Sequence, residues 1–96
     1  MAERIVRANV DRRVEISPTF VSLYVNDTQI EVTPWDFRFT FGEITRAPTA
    51  DNPTVGVKST GEIRMSPQHA KKLAEILVQT LQRYESAIGK IPLPQD

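Results

Sequence analysis

Hydrophobic and polar positions alternate with a period of two in the middle of the chain. The stretch WDFRFTFGEI places aromatic residues at alternate positions, with polar residues between them: Trp35, Phe37, Phe39 and Phe41. Successive side chains of a strand point to opposite faces, so this pattern predicts a strand with one aromatic face. The row could line a small-molecule pocket. A core beneath the helix is the favoured interpretation, because such alternation is typical of a half-buried strand.

Two further segments alternate in the same way. TQIEV precedes Thr33-Pro34, which predicts a hairpin with its turn near residues 33–35. VGVKSTGEIRM predicts another strand. Its polar residues fall on alternate positions and are expected on the exposed face: Lys58, Thr60, Glu62 and Arg64. We therefore predict antiparallel strands within residues 20–65, and an edge strand or flexible arm in residues 1–19. Gly42 ends the aromatic row and suggests a bulge or bend.

The period then changes to that of an amphipathic helix. Apolar residues recur at helical spacing from Ala70 to Ile88. Ser66 is a favourable N-cap and Pro67 suits the first helical position, while Gly89 suits the C-terminal end. These signals predict a helix within residues 66–89 and a tail at 90–96. The fold class expected is α+β: an antiparallel meander of three to four strands, followed by one long C-terminal helix packed on the sheet, in a single domain of residues 1–96.

Composition narrows the functional classes. Twelve basic residues balance twelve acidic ones among 96, so the net charge gives no general attraction to nucleic acid or anionic lipid. The chain has no cysteine, which excludes disulfides, thiolate metal sites and cysteine nucleophiles. No apolar run is long enough for a signal peptide or a membrane span. We expect a cytoplasmic protein that does not associate with membranes.

Two groups of residues resemble a family of short bacterial proteins with a domain of unknown function. The first group is Tyr24-Val25-Asn26 with Thr33-Pro34-Trp35-Asp36-Phe37, and the second is Met65-Ser66-Pro67-Gln68-His69-Ala70-Lys71, which runs on to Tyr84-Glu85 and Gly89-Lys90-Ile91. The resemblance covers roughly residues 24–91. It implies the same order of strands followed by one helix, and it implies no chemistry.

His69 is the only histidine. It stands at the third position of the predicted helix, where a capping or packing role is favoured over ligand binding, because no base–nucleophile partner accompanies it. The chain offers neither a glycine-rich phosphate loop nor a Gly-x-Ser-x-Gly elbow. We expect no catalytic, cofactor-binding or metal-binding residues, and no enzymatic activity.

Four residues are candidates for contact with a partner: Arg38, Lys58, Arg64 and His69. Strand alternation places the first three on a polar face of the sheet, and such a face could follow phosphates. The aromatic residues fall on the opposite face, where they could not stack on bases, and the net charge is zero. Nucleic-acid association is therefore the alternative hypothesis and not the leading one.

The apolar stripe of the helix is wider than one small sheet needs to cover. Surplus apolar surface is usually buried against a partner, and the simplest partner is a second copy related by two-fold symmetry. Ile76 and Thr80, on one flank of the stripe, are the predicted dimer contacts. The leading hypothesis is a non-catalytic, homodimeric binding or adaptor module whose protein partner the sequence does not identify.

Overall fold

The computed structural model describes residues 10–94, which contain three strands and one helix. The strands are β1 (Asp27–Val32), β2 (Phe37–Arg46) and β3 (Gly56–Met65), and the helix is α1 (Pro67–Ala87). The strands form one antiparallel sheet in the order β1-β2-β3. The predicted α+β arrangement, antiparallel strands followed by one helix, is confirmed.

The turn between β1 and β2 is closed by Thr33. Its backbone N–H donates to the carbonyl oxygen of Asp36 at 2.9 Å. Its hydroxyl oxygen accepts hydrogen bonds from the backbone N–H groups of Trp35 (3.1 Å) and Asp36 (3.0 Å), and the hydroxyl donates to the Asp36 carboxylate at 2.7 Å. Side-chain bonds of this kind fix a turn locally. The predicted turn near residues 33–35 is confirmed.

Trp35 belongs to this turn and not to the aromatic row. β2 begins at Phe37, so the expectation that Trp35 starts the row was wrong. The Thr33 hydroxyl holds the amides of Trp35 and Asp36, and strand alternation starts only after them. The remaining phenylalanines do form a row: ring centroids lie 6.4 Å apart for Phe37 and Phe39, and 6.2 Å apart for Phe39 and Phe41.

One extra residue of β3 interrupts its pairing with β2 beside Gly42, and a second irregularity follows between Ile44 and Arg46. Phe41 lies opposite Gly61, but the next pair joins Gly42 to Ser59, so Thr60 has no opposite residue on β2. This is a β-bulge, and beyond it the alternation of β3 is inverted relative to β2. The bulge or bend suggested by Gly42 in the sequence is confirmed.

Gly42 also lets the two strands approach each other closely at the bulge. A Cβ at this position would stand 2.5 Å from the carbonyl oxygen of Lys58 and 3.1 Å from its carbonyl carbon. Real Cβ atoms do not approach backbone atoms this closely, so any side chain would push the strands apart. Gly42 is buried between its neighbours.

The bulge moves Lys58 away from the face predicted for it. Arg38 and Arg64 are opposite partners on the polar face, as the alternation predicts. Lys58, however, pairs with Glu43 and therefore lies on the face that carries Phe41. The prediction that Lys58 shares a face with the two arginines was wrong. Side chains two residues apart lie on the same face only where no bulge interrupts the strand pairing.

The ends of α1 follow the predicted signals. The Ser66 hydroxyl oxygen accepts from the backbone N–H of His69 at 3.0 Å, and Pro67 occupies the first turn. At the other end the N–H of Ile88 donates to the Tyr84 carbonyl at 2.8 Å, and Gly89 follows with φ +146°, a value that favours glycine. The helix ends at Ala87, one residue before the last apolar position of the pattern.

The residues after α1 turn back toward it. The backbone N–H of Ile91 donates to the carboxylate of Glu85 at 2.9 Å. This bond gives a fixed position to the start of the segment predicted as a tail.

Residues 10–25 precede the sheet as an extended segment, which we call the arm. Its one turn is closed by a bond from the Phe20 N–H to the Ser17 carbonyl at 2.9 Å. The sheet begins only at Asp27, so residues 20–26, expected among the strands, are extended without belonging to the sheet. The part of the predicted edge strand or arm that falls on residues 1–9 lies outside the described residues.

Very little of the described chain is interior. Ala70 is the one buried hydrophobic residue among residues 10–94. The phenylalanines of β2 are half-buried, and most other large apolar side chains are exposed. The radius of gyration is 18.3 Å, whereas a compact chain of this length has about 12.5 Å. The elements are therefore formed, but they do not enclose a core.

Candidate functional site

The main candidate surface is the apolar side of α1, which we call the helix stripe. Its members share one side of the helix: Leu73, Leu77, Leu81, Tyr84 and Ile88. Their exposed fractions run from 39% at Leu73 to 71% at Ile88. A soluble domain usually turns such a stripe toward its core, so this surface needs a covering element.

Only the first half of the helix stripe faces the sheet. A groove of about 350 Å³ separates the two, and its apolar lining includes Ile30, Phe37 and Phe39 from the sheet and Leu73 and Leu77 from the helix. The groove shows that the helix and the sheet do not interlock there, since well-packed interiors leave few voids larger than a water molecule.

The flank of the stripe carries the predicted dimer contacts. Ile76 is 48% exposed, and Thr80 is exposed one turn later. The Thr80 hydroxyl donates to the carbonyl oxygen of Ile76 at 2.8 Å. Because that bond satisfies the hydroxyl proton within the helix, Thr80 could enter an apolar interface without a large desolvation penalty. The two residues lie side by side, as the predicted contact requires.

The apolar face of the sheet is the second uncovered surface. Ile30 and Ile63 flank Phe39 on the neighbouring strands, as its opposite partners. Both isoleucines are more than half exposed. This face and the helix stripe adjoin across the groove, so together they form a continuous apolar surface.

The polar face of the sheet brings two of the candidate partner-binding residues together. Arg38 and Arg64 are opposite partners, but Glu31 lies opposite Arg38 on its other side, and Glu62 is two residues from Arg64 on the same face. The carboxylate of Asp36 is 3.8 Å from Nε of Arg38. With acidic side chains interleaved and Lys58 on the other face, the surface is mixed in charge and not a basic track.

His69 is an exposed residue of the first helical turn. Its backbone N–H makes the capping bond to Ser66, whereas the structure gives its imidazole no hydrogen-bond partner within the described residues. The capping role that the sequence suggested therefore belongs to the backbone of this residue and not to its ring. Its part in partner binding stays a prediction.

Several polar residues that carry the family resemblance bond to the backbone. Asn26 continues the edge of β1, since its Oδ1 accepts from the Ile44 N–H at 2.8 Å and its own N–H donates to the Gly42 carbonyl at 3.0 Å. Thr33, Ser66 and Glu85 close the turn, the helix start and the helix end. These side chains satisfy backbone groups that no regular element reaches.

Sequence reasoning missed one exposed residue of interest. Trp35 is 83% exposed on a turn held by several hydrogen bonds. Tryptophan is enriched at interaction hot spots, and a fixed backbone lowers the entropic cost of binding. The available signal was Thr33-Pro34, which marks a turn and could have removed Trp35 from the strand.

The described part of the chain has neither a cluster of metal ligands nor a membrane-spanning helix. Residues 10–94 contain no group of three or more His, Asp or Glu side chains placed to hold a metal ion. No helix in this range is both long enough and apolar enough to cross a bilayer.

Comparison with known proteins identifies a family over nearly the whole chain. The family model described as "Protein of unknown function (DUF3467)" matches residues 2–93. No curated protein and no solved structure matches.

Proposed function

We propose that this chain, which belongs to the family described as "Protein of unknown function (DUF3467)", is a non-catalytic, homodimeric binding or adaptor module. The observation that carries this proposal is the near absence of an interior in the described chain, where Ala70 is the one buried hydrophobic residue. Elements this well formed need a hydrophobic core, and a second copy would supply the missing half of it.

The uncovered surface is more than one obligate dimer interface needs. The chain exposes 9126 Å², whereas a folded monomer of its mass exposes about 5,600 Å². The excess is roughly 3,500 Å², and obligate homodimers bury about 2,000–5,000 Å² over both chains together. The excess on one chain therefore exceeds the 1,000–2,500 Å² or so that each chain contributes to such an interface.

Charge and shape also favour a second copy as the occupant. Twelve basic and twelve acidic residues give two copies no net charge with which to repel each other. The helix stripe is a single apolar strip, and two such strips can pack against each other about a two-fold axis. In that arrangement Ile76 and Thr80 lie at the border between the two helices.

The absence of catalysis is part of the proposal. It is supported by the use of the polar motif residues: Asn26, Thr33 and Ser66 make hydrogen bonds to the backbone. A nucleophile or general base must instead reach a substrate. Beyond the second copy we propose a protein partner in the cytoplasm, and the exposed Trp35 is the residue best placed to touch it.

The alternative, a nucleic-acid-associated regulatory protein, is not favoured. It needs a basic sheet face, and the face of Arg38 and Arg64 also carries Glu31 and Glu62. We expect no salt-sensitive mobility shift with generic DNA or RNA at low ionic strength. A shift that weakens steeply as salt rises would favour the alternative, because phosphate contacts release counterions.

The dimer is tested by Ile76→Asp. A charge placed in an apolar interface without a partner should split the dimer, so we expect a dimeric mass for the parent and a monomeric mass for the variant. The measurement is size exclusion coupled to light scattering over a hundredfold dilution that starts well above micromolar concentration. The parent's melting temperature should also rise with concentration.

The matched control is Gln82→Asp, which adds the same charge to the same helix. Gln82 is exposed on the opposite side of α1, in a shallow patch with Gln79 and Ser86. This variant should stay dimeric. A monomeric parent at all concentrations would overturn the proposal, and so would a dimer that both variants leave intact.

A further inference from the structure

Two parts of the described chain each lack a neighbouring strand with which their backbone could form hydrogen bonds. β3 is an outer strand of the sheet, so in the part of the chain that the structure describes no strand lies along one edge of its ten residues. The arm is extended, and among residues 10–94 no backbone hydrogen bond joins residues 10–25 to β3. Addition of a strand to a sheet needs an open sheet edge and an unpaired extended segment.

The arm leads toward β3 across the apolar face of its own sheet. Leu23 lies over Gly61, where a Cβ would stand 3.8 Å from the Leu23 Cδ1. Val21, Leu23 and Val25 share a groove of about 400 Å³ with Phe41 and other residues of the sheet. Residues 10–16 come before the turn at 17–20, and their apolar members are largely exposed.

Residues 21–25 of the arm thus lie on the face of their own sheet, while residues 10–16 make no backbone hydrogen bond to its β3 edge. From this we propose that residues 10–16 of one copy add as an antiparallel strand to the β3 edge of the second copy, and that the two copies exchange arms reciprocally. The inference rests on the proposed dimer and names a second surface through which it forms. Seven extended residues span about 23 Å, which fits within the roughly 33 Å of β3.

Charge complementarity selects a register. Pairing Arg13 with Glu62 in the antiparallel sense places Asp11 opposite Arg64, so both pairs on the polar face join opposite charges. Opposite charges directly across an antiparallel ladder stabilise it, and like charges destabilise it.

The apolar face agrees with this register. Arg12 falls opposite Ile63 on this face, where the aliphatic part of its side chain can pack. Val10 falls opposite Met65, and Val14 falls opposite Gly61. Both pairs would extend the face that carries the β2 phenylalanines. The register therefore joins opposite charges on the polar face and gives two apolar pairs, with Arg12 between Val10 and Val14, on the other face.

Engineered disulfides test the proposal directly, because the chain has no cysteine of its own. Two chains are co-expressed, one with a cysteine in the arm and one with a cysteine in β3. We expect an intermolecular disulfide for Arg13→Cys with Glu62→Cys, or for Arg12→Cys with Ile63→Cys. One of these pairs occupies a hydrogen-bonded site of the antiparallel ladder and the other a non-hydrogen-bonded site, so at least one of them meets the geometry that a disulfide needs.

The matched controls shift one partner by a single residue. Arg12→Cys with Glu62→Cys, and Arg13→Cys with Ile63→Cys, put the two thiols on opposite faces of the strand pair, so they should not link. Non-reducing electrophoresis under mild oxidation reads the result. At least a tenfold higher linked fraction in the aligned pairs than in the shifted pairs supports strand addition. Equal linking in all four combinations overturns it.

A further comparison separates the two proposals. A single chain that carries both Arg13→Cys and Glu62→Cys should link to its neighbour and run at twice the chain mass. If it links only within itself while light scattering still reports a dimer, the arm closes its own sheet. The exchange is then wrong and the dimer stands. A monomeric mass for the parent chain would overturn both.

Discussion

The β1–β2 turn and the helix stripe differ in how far their interactions reach. The turn is complete within four residues, because the Thr33 hydroxyl bonds the amides and the carboxylate that follow it. The helix stripe repeats over 21 residues of α1, yet its apolar side chains remain exposed. Hydrogen bonds in turns and caps can be satisfied locally, whereas apolar surface is covered only by another element.

The difference indicates how stability is distributed in this protein. Caps and turns fix where elements begin and end, and each contributes on the order of 1 kcal/mol. Burial of the apolar faces supplies most of the free energy of folding, at about 25 cal/mol per Å². If the second copy provides that burial, variants at apolar positions should cost several times more than variants at caps.

The largest effect is expected at the centre of the sheet. Phe39 is flanked by Ile30 and Ile63, so Phe39→Ala should lower the free energy of unfolding by about 3–5 kcal/mol once the dimer buries this face. Arg38→Ala, the adjacent position on the polar face, should have little effect. Urea unfolding at a fixed protein concentration measures both. Similar losses at the two positions would contradict the assignment of faces.

An intermediate effect is expected at the bulge. Gly42→Ala places a Cβ 2.5 Å from the Lys58 carbonyl oxygen, so β2 and β3 must shift apart, at a cost of about 1–3 kcal/mol. Gly61→Ala is the matched control, since its Cβ would make only an ordinary contact of 3.8 Å with Leu23. Thermal unfolding compares them. A Gly42→Ala variant as stable as the control would mean that the close approach does not exist.

The smallest effect is expected at the start of α1. Ser66→Ala removes the acceptor for the His69 amide and should cost about 1 kcal/mol. His69→Ala keeps that amide and loses only an exposed ring, so it should cost less and abolish no binding. Denaturant unfolding of the pair gives the comparison. If His69→Ala kept full stability but lost a native partner, the ring would have a binding role beyond the cap.

Sheet pairing shows where sequence reasoning reached its limit. The alternation placed Phe37, Phe39 and Phe41 on one face, and the structure agrees. The same counting placed Lys58 with the arginines and failed, because the residue without a partner at Thr60 inverts the pattern beyond it. A bulge is decided by how two strands meet, and Gly42 alone indicated that one was present without showing which residue is displaced.

The sequence by itself determined the elements, because their signals are local. Ser66-Pro67 begins the helix, Gly89 follows its end, and Thr33-Pro34 marks the turn. Only the tertiary structure decided the position of Lys58, the exposure of Trp35 and the near absence of an interior in the described chain. Periodicity tells which side of an element is apolar, but whether that side is covered depends on residues distant in sequence or on another chain.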